Sequence, residues 1–403
     1  MSASDYPSIV EEFQGIYGPY QVNERVLQKI WLEGAFDDRN LVDSDGRKIA
    51  IHFPGHWNRL AGPDFKGAVL FIDGVYTEGD VEIHFGLKDW YAHSHQLNPS
   101  FDKVILHVVY HPILGVELGV MNSQKKSIPA LSLMERLWYG LEEYATYDSL
   151  MESTGMDARD AVEDLLILSV EERRRLLIGE AEDRWRSKVA FAAMRIDKLG
   201  WDDACHQTAL EILGFRFNRA AMLRVAGAFD FRTIVSTRVD LETMWESGGG
   251  RWRQRGSRPA NQPKVRLGQY LEWVRQVSDW PSRLREIPIN SENISIEAVG
   301  ARKALGIKEL KEWISKEVVG DQVSGTRLDT LVCDGFLPLL AASLEVDLFS
   351  LWFHWYLGDL PDFCLESMKR LQVAEGRNFP KSNGWGQGVL QKTGLQRITP
   401  AAL

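Results

Sequence analysis

The chain has 403 residues, 44% of them hydrophobic and 26% charged: an ordinary soluble composition on a length too great for one core, so two or three domains are expected. A formal net charge of −9 disfavours indiscriminate binding to nucleic acid. No run approaches the roughly 18 apolar residues of a membrane span, no signal peptide is legible, and Cys205, Cys333 and Cys364 suit reduced thiols in a cytoplasm, not a disulfide framework.

Residues 23–34 predict a first helix. Val26, Leu27, Ile30 and Trp31 recur at helical spacing, with Asn23 as N-cap and Gly34 as stop. Lys48–Phe53 reads as a strand. Ala68–Ile72, then Asp73-Gly74, then Val75-Tyr76 give the strongest local signal, because Asp-Gly between apolar runs favours a two-residue hairpin turn. Along the second arm Val75, Thr77, Gly79, Val81, Ile83 and Phe85 share one face; Tyr76, Glu78, Asp80, Glu82 and His84 share the other. Trp90 to His95 reads as a short helix or loop, and Lys103–Tyr110 as a buried strand. Beyond about residue 125 helical patterns take over, at 160–198, 205–228 and 328–373. Arg173-Arg174-Arg175 is expected on a salt-bridged helix surface, Trp352, His354 and Trp355 in a helical core, and the glycine-rich Pro380–Gly388 in a loop.

Seven of the nine histidines, His52, His56, His84, His93, His95, His107 and His111, fall in one short region. Imidazoles and carboxylates bind metals and move protons near neutral pH. With sixteen Asp and Glu against nine Lys and Arg in residues 1–115, this acidic region is expected to carry the chemistry. A helix, a hairpin with Pro63-Asp64 at its entry and Glu82-Ile83-His84 at its exit, and then a buried strand resemble, in that order, the PD-(D/E)XK nuclease core. The resemblance implies a mixed sheet of the restriction-endonuclease type and phosphodiester cleavage. It also implies a divalent metal, Mg or Mn, on Asp64, Glu82 and the main-chain carbonyl of Ile83.

Two departures from that pattern matter. His84 stands where the pattern has Lys, so it is a base or a ligand, with Lys66 or Lys103 to replace the charge. In a hairpin turning strictly at Asp73-Gly74, residue 64 faces 83, on the apolar side. One bulge, at Gly67 or Gly79, is required to bring Asp64 beside Glu82. Taken singly, Asp64 also reads as a turn or cap carboxylate, and Glu82 with His84 as a solvated strand face. Glu24, His93, His95 and His107 are candidate additional pocket residues, although His107 in its apolar strand also reads as a core histidine. A competing constellation is a zinc, iron or manganese centre of His84, His93, His95 and a carboxylate, the His-x-His pair presenting both rings from an extended segment.

Residues 251–266 hold six basic residues and no acid. Arg251, Arg253, Arg255, Arg258 and Arg266, with Trp252 among them, suit phosphate contact and base stacking; the alternative is a solvated loop. Gly62-Pro63-Asp64-Phe65, Gly79 to His84, Asp89-Trp90 with His93 and His95, Val104–Tyr110, Glu24, Leu213-Gly214-Phe215 with Asn218, and Arg258-Pro259-Ala260-Asn261 with Arg266-Leu267 resemble a bacterial family known as a domain of unknown function. That resemblance spans nearly the whole chain and implies no reaction. The expected architecture is an α/β nuclease-like domain over 1–125 and a mainly α-helical region over 126–403. The expected function is metal-dependent hydrolysis of DNA or RNA. Two alternatives stand beside it: a decayed nuclease scaffold binding nucleic acid or protein, and a His-rich metallohydrolase acting on a small molecule.

Overall fold

A computed structural model of the chain describes residues 10–15, 18–113, 119–145, 156–237, 239–250, 252–254, 259–289, 294–296, 298–360, 362–374, 376 and 379–393. The chain divides into one unit ending at Tyr144 and a second beginning at Ala145. In the first unit, helix α1 (Glu24–Glu33) starts where the Asn23 side chain accepts the Arg25 N–H, and ends at Gly34, whose φ of 60° closes the last turn. It buries Val26, Leu27, Ile30 and Trp31, and also Glu24.

The strands are β1 (Val10–Gly15), β2 (Gly18–Asn23), β3 (Leu41–Val42), β4 (Lys48–Phe53), β5 (His56–Trp57), β6 (Phe65–Ile72), β7 (Val75–His84), β8 (Val104–Val109), β9 (Gly119–Met121) and β10 (Ser127–Ser132). β1 and β2 pair with each other. The other eight form a mixed sheet in the order β3-β4-β6-β7-β8-β10-β9, with β5 beside β6. β4, β6 and β7 run as an antiparallel meander, whereas β8 is parallel to both β7 and β10. β10 lies past the expected boundary at residue 125, yet it hydrogen-bonds β8 and so belongs to the sheet.

The β6–β7 turn has positive φ at both Asp73 (49°) and Gly74 (79°), as its Asp-Gly chemistry requires. Near the open end of this hairpin the register changes. Ala68 faces Gly79, but Phe65 faces Val81, so one extra residue is accommodated between Phe65 and Ala68. Gly67, at φ 65°, takes the left-handed conformation there, and its N–H donates to Asp80 Oδ1 at 3.0 Å. The β6–β7 bulge is therefore at Gly67. Gly79 instead permits close approach of β7 to β8. A Cβ there would collide with Ile105 Cγ2 and lie 2.6 Å from the Lys103 carbonyl oxygen. Gly79→Ala is expected to cost about 2 kcal/mol through overpacking, read as a lower urea midpoint; an unchanged midpoint would refute the close β7–β8 approach.

The second unit is built of helices, among them Val170–Leu199, Trp201–Leu213 and Pro263–Gln276, around a core that includes Trp273, Trp280, Trp352 and Trp355. Pro380–Gly388 is not a loop: a helix spans Asn383–Thr393. Its glycines serve close packing. Cβ atoms at Gly384, Gly386 and Gly388 would collide with Phe353, Leu360 and the Leu177 carbonyl oxygen in turn. Arg173 is also not part of a salt-bridged surface. Its guanidinium donates to the carbonyls of Leu165, Leu166 and Leu371, at the C-terminal ends of two helices where positive charge is favoured.

His206 is buried against Tyr270 Oη and the Phe229 carbonyl, and burial pulls its pKa down to about 4. The folded state keeps the ring neutral while the unfolded chain protonates it. Its contribution to stability is complete above about pH 6.5 and is lost as the pH falls toward 4, amounting to about 3 kcal/mol there. His206→Gln should flatten the stability profile over that window; an unchanged slope in urea titrations would exclude this group.

Candidate metal centre

The bulge at Gly67 places Asp64 beside Glu82. The Asp64 N–H donates to Glu82 Oε2 at 2.9 Å, and Asp64 Oδ2 accepts the Ile83 N–H at 3.0 Å. Asp64 Oδ1 accepts from Gln28 Nε2 at 2.7 Å, and Gln28 Oε1 in turn accepts the Trp57 indole N–H at 3.0 Å. Gln28 lies one turn beyond Glu24 on α1, so this helix presents both residues to the carboxylates.

Four of the seven clustered histidines converge on the other side of Glu82. The crossover from β7 to parallel β8 carries helix α2 (Asp89–Ala92) and a following turn, which bring His93 and His95 over His84. Ser94 between them has φ 59°. The segment is kinked left-handed and not extended, and the kink lets both rings face His84. His93 Nδ1 lies 2.9 Å from His84 Nε2, and His84 Nδ1 lies 2.8 Å from His107 Nε2. His107 sits opposite Glu82 in the β7–β8 register and is fully buried, so it is both a core residue and a partner of the cluster. His95 stacks on Phe101 at 3.8 Å. His52 and His56 are exposed, and His111 lies against Tyr110, so these three stand apart.

Glu82 Oε1 is 3.2 Å from His95 Nε2 and 3.5 Å from His84 Nε2. These contacts are not ion pairs. Burial pulls His95 down to about 4 and His107 to about 3; burial and three neighbouring imidazoles hold His84 far below its ordinary value. His93 is lowered by burial and His95. The acids move the opposite way. Burial, then Asp64, Glu82 and Asp89, push Glu24 up to about 9; burial pushes Glu82 up to about 8; burial and Glu82 hold Asp64 well above the carboxylate range. Lys66 and Lys103 are both exposed.

Among the described residues, Glu24 Oε1, His95 Nε2 and His107 Nδ1 are buried without a hydrogen-bond partner. Neutral imidazoles and crowded carboxyls at one cluster are a donor set of the kind that holds a divalent cation. The geometry fits one. A tetrahedral metal with bonds of about 2.1 Å has ligand–ligand edges of about 3.4 Å. The observed 2.9, 3.2 and 3.5 Å edges among His93, His84, His95 and Glu82 bracket that value. Ligand atoms of His84, His93 and His95 all lie within 4.8 Å of one another.

A family model described as "Protein of unknown function (DUF2851)" matches residues 24–247. The chain belongs to that family. The match begins at Glu24 and takes in Gln28, Asp64, Glu82 and the four converging histidines. It ends before 251–266, so Arg258 to Asn261 and Arg266-Leu267 lie outside it. No curated protein and no solved structure matches the chain.

The sequence reading missed Gln28, which fixes the Asp64 carboxylate, and Asp80, which holds the bulge. Of the candidate nucleic-acid residues, Arg251, Arg255 and Arg258 lie outside the described residues. Trp252 stacks on Trp245 at 4.7 Å and donates its indole N–H to the Trp245 carbonyl. Asn218 clamps the Arg253 backbone through both its N–H and its carbonyl. Arg266 is buried. Trp252 and Arg266 are therefore built into the helical unit and are not free for base stacking or open phosphate contact.

Proposed function

We propose metal-dependent phosphodiester hydrolysis, with the cation held by Glu82, His84, His93 and His95 and the substrate phosphate approaching from the Asp64 and Glu24 side. The observation that carries this reading is the divided environment of Glu82: one oxygen accepts the Asp64 N–H, and the other faces the imidazole nitrogens. Three imidazoles and one carboxylate suit zinc, iron or manganese better than magnesium. The antiparallel meander followed by a parallel strand supports the nuclease-type assignment, as does the Asp64–Glu82 pairing across the Gly67 bulge. When bound, a divalent cation neutralises phosphate charge and activates water. Glu24, whose carboxyl is pushed up to about 9 and so keeps its proton at neutral pH, would serve beside a bound cation as a general acid, and Gln28 holds Asp64 in place. Three buried thiols agree with a reducing cytoplasm, and no described helix is long and apolar enough to cross a membrane.

The test is elemental analysis of the purified protein, followed by hydrolysis of bis(p-nitrophenyl) phosphate, single-stranded and duplex DNA, and RNA, with zinc, iron(II), manganese or magnesium added back after chelation. One equivalent of a transition metal and turnover of at least one phosphodiester are expected. Bound metal with turnover of none of these substrates would favour a metallohydrolase of small molecules, for which the acidic surroundings of the pocket speak. Absence of bound metal under every addition would end the hydrolase reading.

A further inference from the structure

The stretch of chain that delivers Asp64 differs in charge from the unit around it. Residues 1–115 hold sixteen acids against nine Lys and Arg, yet from Ile49 to Ile72 the only acid is Asp64. Asp64 faces inward, bonded to Gln28 and to the Ile83 N–H. Arg59 and Lys66 are exposed. The outward charge of this stretch is therefore positive, although it adjoins a carboxylate of the site.

Arg59 is tied to the site through three side chains. Its guanidinium lies over Trp57, 4.4 Å from the ring centroid. The Trp57 indole N–H donates to Gln28 Oε1 at 3.0 Å, and Gln28 Nε2 donates to Asp64 Oδ1 at 2.7 Å. The backbone makes a second link, because the Asn58 N–H donates to the Asp64 carbonyl at 2.7 Å. The Asn58 side chain accepts the Leu60 N–H and donates to the carbonyls of Ala61 and Pro63. The loop that carries Arg59 and the residue Asp64 thus form one hydrogen-bonded piece. Lys66 borders the same loop: a Cβ at Gly62 would stand 3.7 Å from its Nζ.

A guanidinium over an indole uses its face and leaves its N–H edge, the part that grips a phosphate with two parallel bonds. Among the described residues, Trp57 is the one partner of Arg59. Arg39 and Arg47 in the same unit differ, because Asp37 pairs with the first and Asp43 and Asp45 with the second. Holding the fork in place before a ligand arrives lowers the entropy lost on binding. A cover for Trp57 alone needs no charge.

We propose that Arg59, held on Trp57, binds a backbone phosphate adjoining the one at the metal centre, which makes the substrate a polynucleotide and not a small diester. This rests on the phosphodiester reading of that centre. The acids of the pocket are drawn inward around the cation position, while the charged groups that a longer chain meets beyond Asp64 are Arg59 and Lys66. Lys66 adds a point charge for the same backbone. On this assignment the phosphate contacts lie in the unit that holds the metal centre, not in residues 251–266. DNA and RNA offer the same phosphate chemistry.

Fluorescence anisotropy of a short labelled oligonucleotide, DNA in one arm and RNA in the other, tests this on the full chain in chelator, where nothing is cut. Saturable binding to at least one of the two is expected in the parent. It should weaken by about tenfold or more in Arg59→Ala and less in Arg59→Lys, which keeps the charge and loses the fork. The log–log salt slope of Arg59→Ala should shrink by about 0.7, the loss of one phosphate contact on a single strand. In the metal-loaded protein, kcat/KM of Arg59→Ala should fall further on the oligonucleotide than on bis(p-nitrophenyl) phosphate. A parent that hydrolyses the small diester and binds no oligonucleotide overturns the proposal and leaves the hydrolysis reading standing. Oligonucleotide binding that depends on Arg59, with no phosphodiester cleaved, overturns the hydrolysis reading and upholds the contact. Equal affinity per folded molecule in the parent and both variants places the bound strand elsewhere and overturns the proposal.

Discussion

Replacing Glu82 with Gln is expected to make the metal-free protein more stable while abolishing metal-dependent hydrolysis. Glu82 is 5% exposed and carries a pKa pushed up to about 8 by burial. The folded state therefore holds a proton that the unfolded chain releases above about pH 4.5. The associated stability is complete below that pH and is lost as the pH rises toward 8, at about 1.4 kcal/mol for each pH step of one across that window. Gln keeps a carbonyl oxygen for the Asp64 N–H and has no charge to bury. In chelator at pH 8 the variant should be about 2 kcal/mol or more above the parent, and the two should coincide near pH 4. With metal added the order reverses, because only the parent gains binding free energy. Hydrolysis should fall by at least the 10–100-fold that loss of an outer partner costs at metal sites. Urea titrations at pH 4, 6 and 8, with and without metal, decide the matter. A variant less stable than the parent at pH 8 in chelator would mean that the carboxylate is satisfied without a cation.

The parts of this site that rest on local backbone conformation were legible in the sequence, and those that rest on distant pairing were not. Asp-Gly at the turn, Asn23 and Gly34 at the ends of α1, and the need for a bulge at Gly67 or Gly79 all follow from neighbouring residues. The parity of the hairpin alone requires an extra residue once Asp64 and Glu82 are to share a face, and the register supplies it at Gly67. His107 is different. Its place opposite Glu82 depends on a parallel pairing across a long crossover, and an apolar strand gives no sign of which partner it takes. Gln28 was hidden because an amide announces no chemistry; its only signal is its place one turn after Glu24. The glycines at 384, 386 and 388 misled for a related reason. Composition does not separate a glycine that turns the chain from one that lets two helices approach.

His93 and His95 replaced together by Ala are expected to reduce metal content to background while leaving the fold intact. Both rings stand on the crossover between β7 and β8, away from the main sheet core, and His93 is half-buried. Removing them leaves Glu82 and His84, too few donors to hold a transition ion tightly. His107→Gln is the informative companion. His107 touches the cluster through His84 Nδ1, so it fixes the ring whose Nε2 faces the metal position. Gln keeps an acceptor for that contact but not the shape of the imidazole, and affinity should drop about 10–100-fold without loss of stoichiometry at saturating metal. Cobalt(II) loading separates the two roles: the double variant should lose the intense visible bands of a tetrahedral ion, and His107→Gln should retain them with altered positions. Stoichiometric cobalt in the His93/His95 double variant, with only the weak bands of a six-coordinate ion, would move the cation to the Asp64–Glu82–Ile83 oxygens and restore the magnesium-type site that the nuclease resemblance implies.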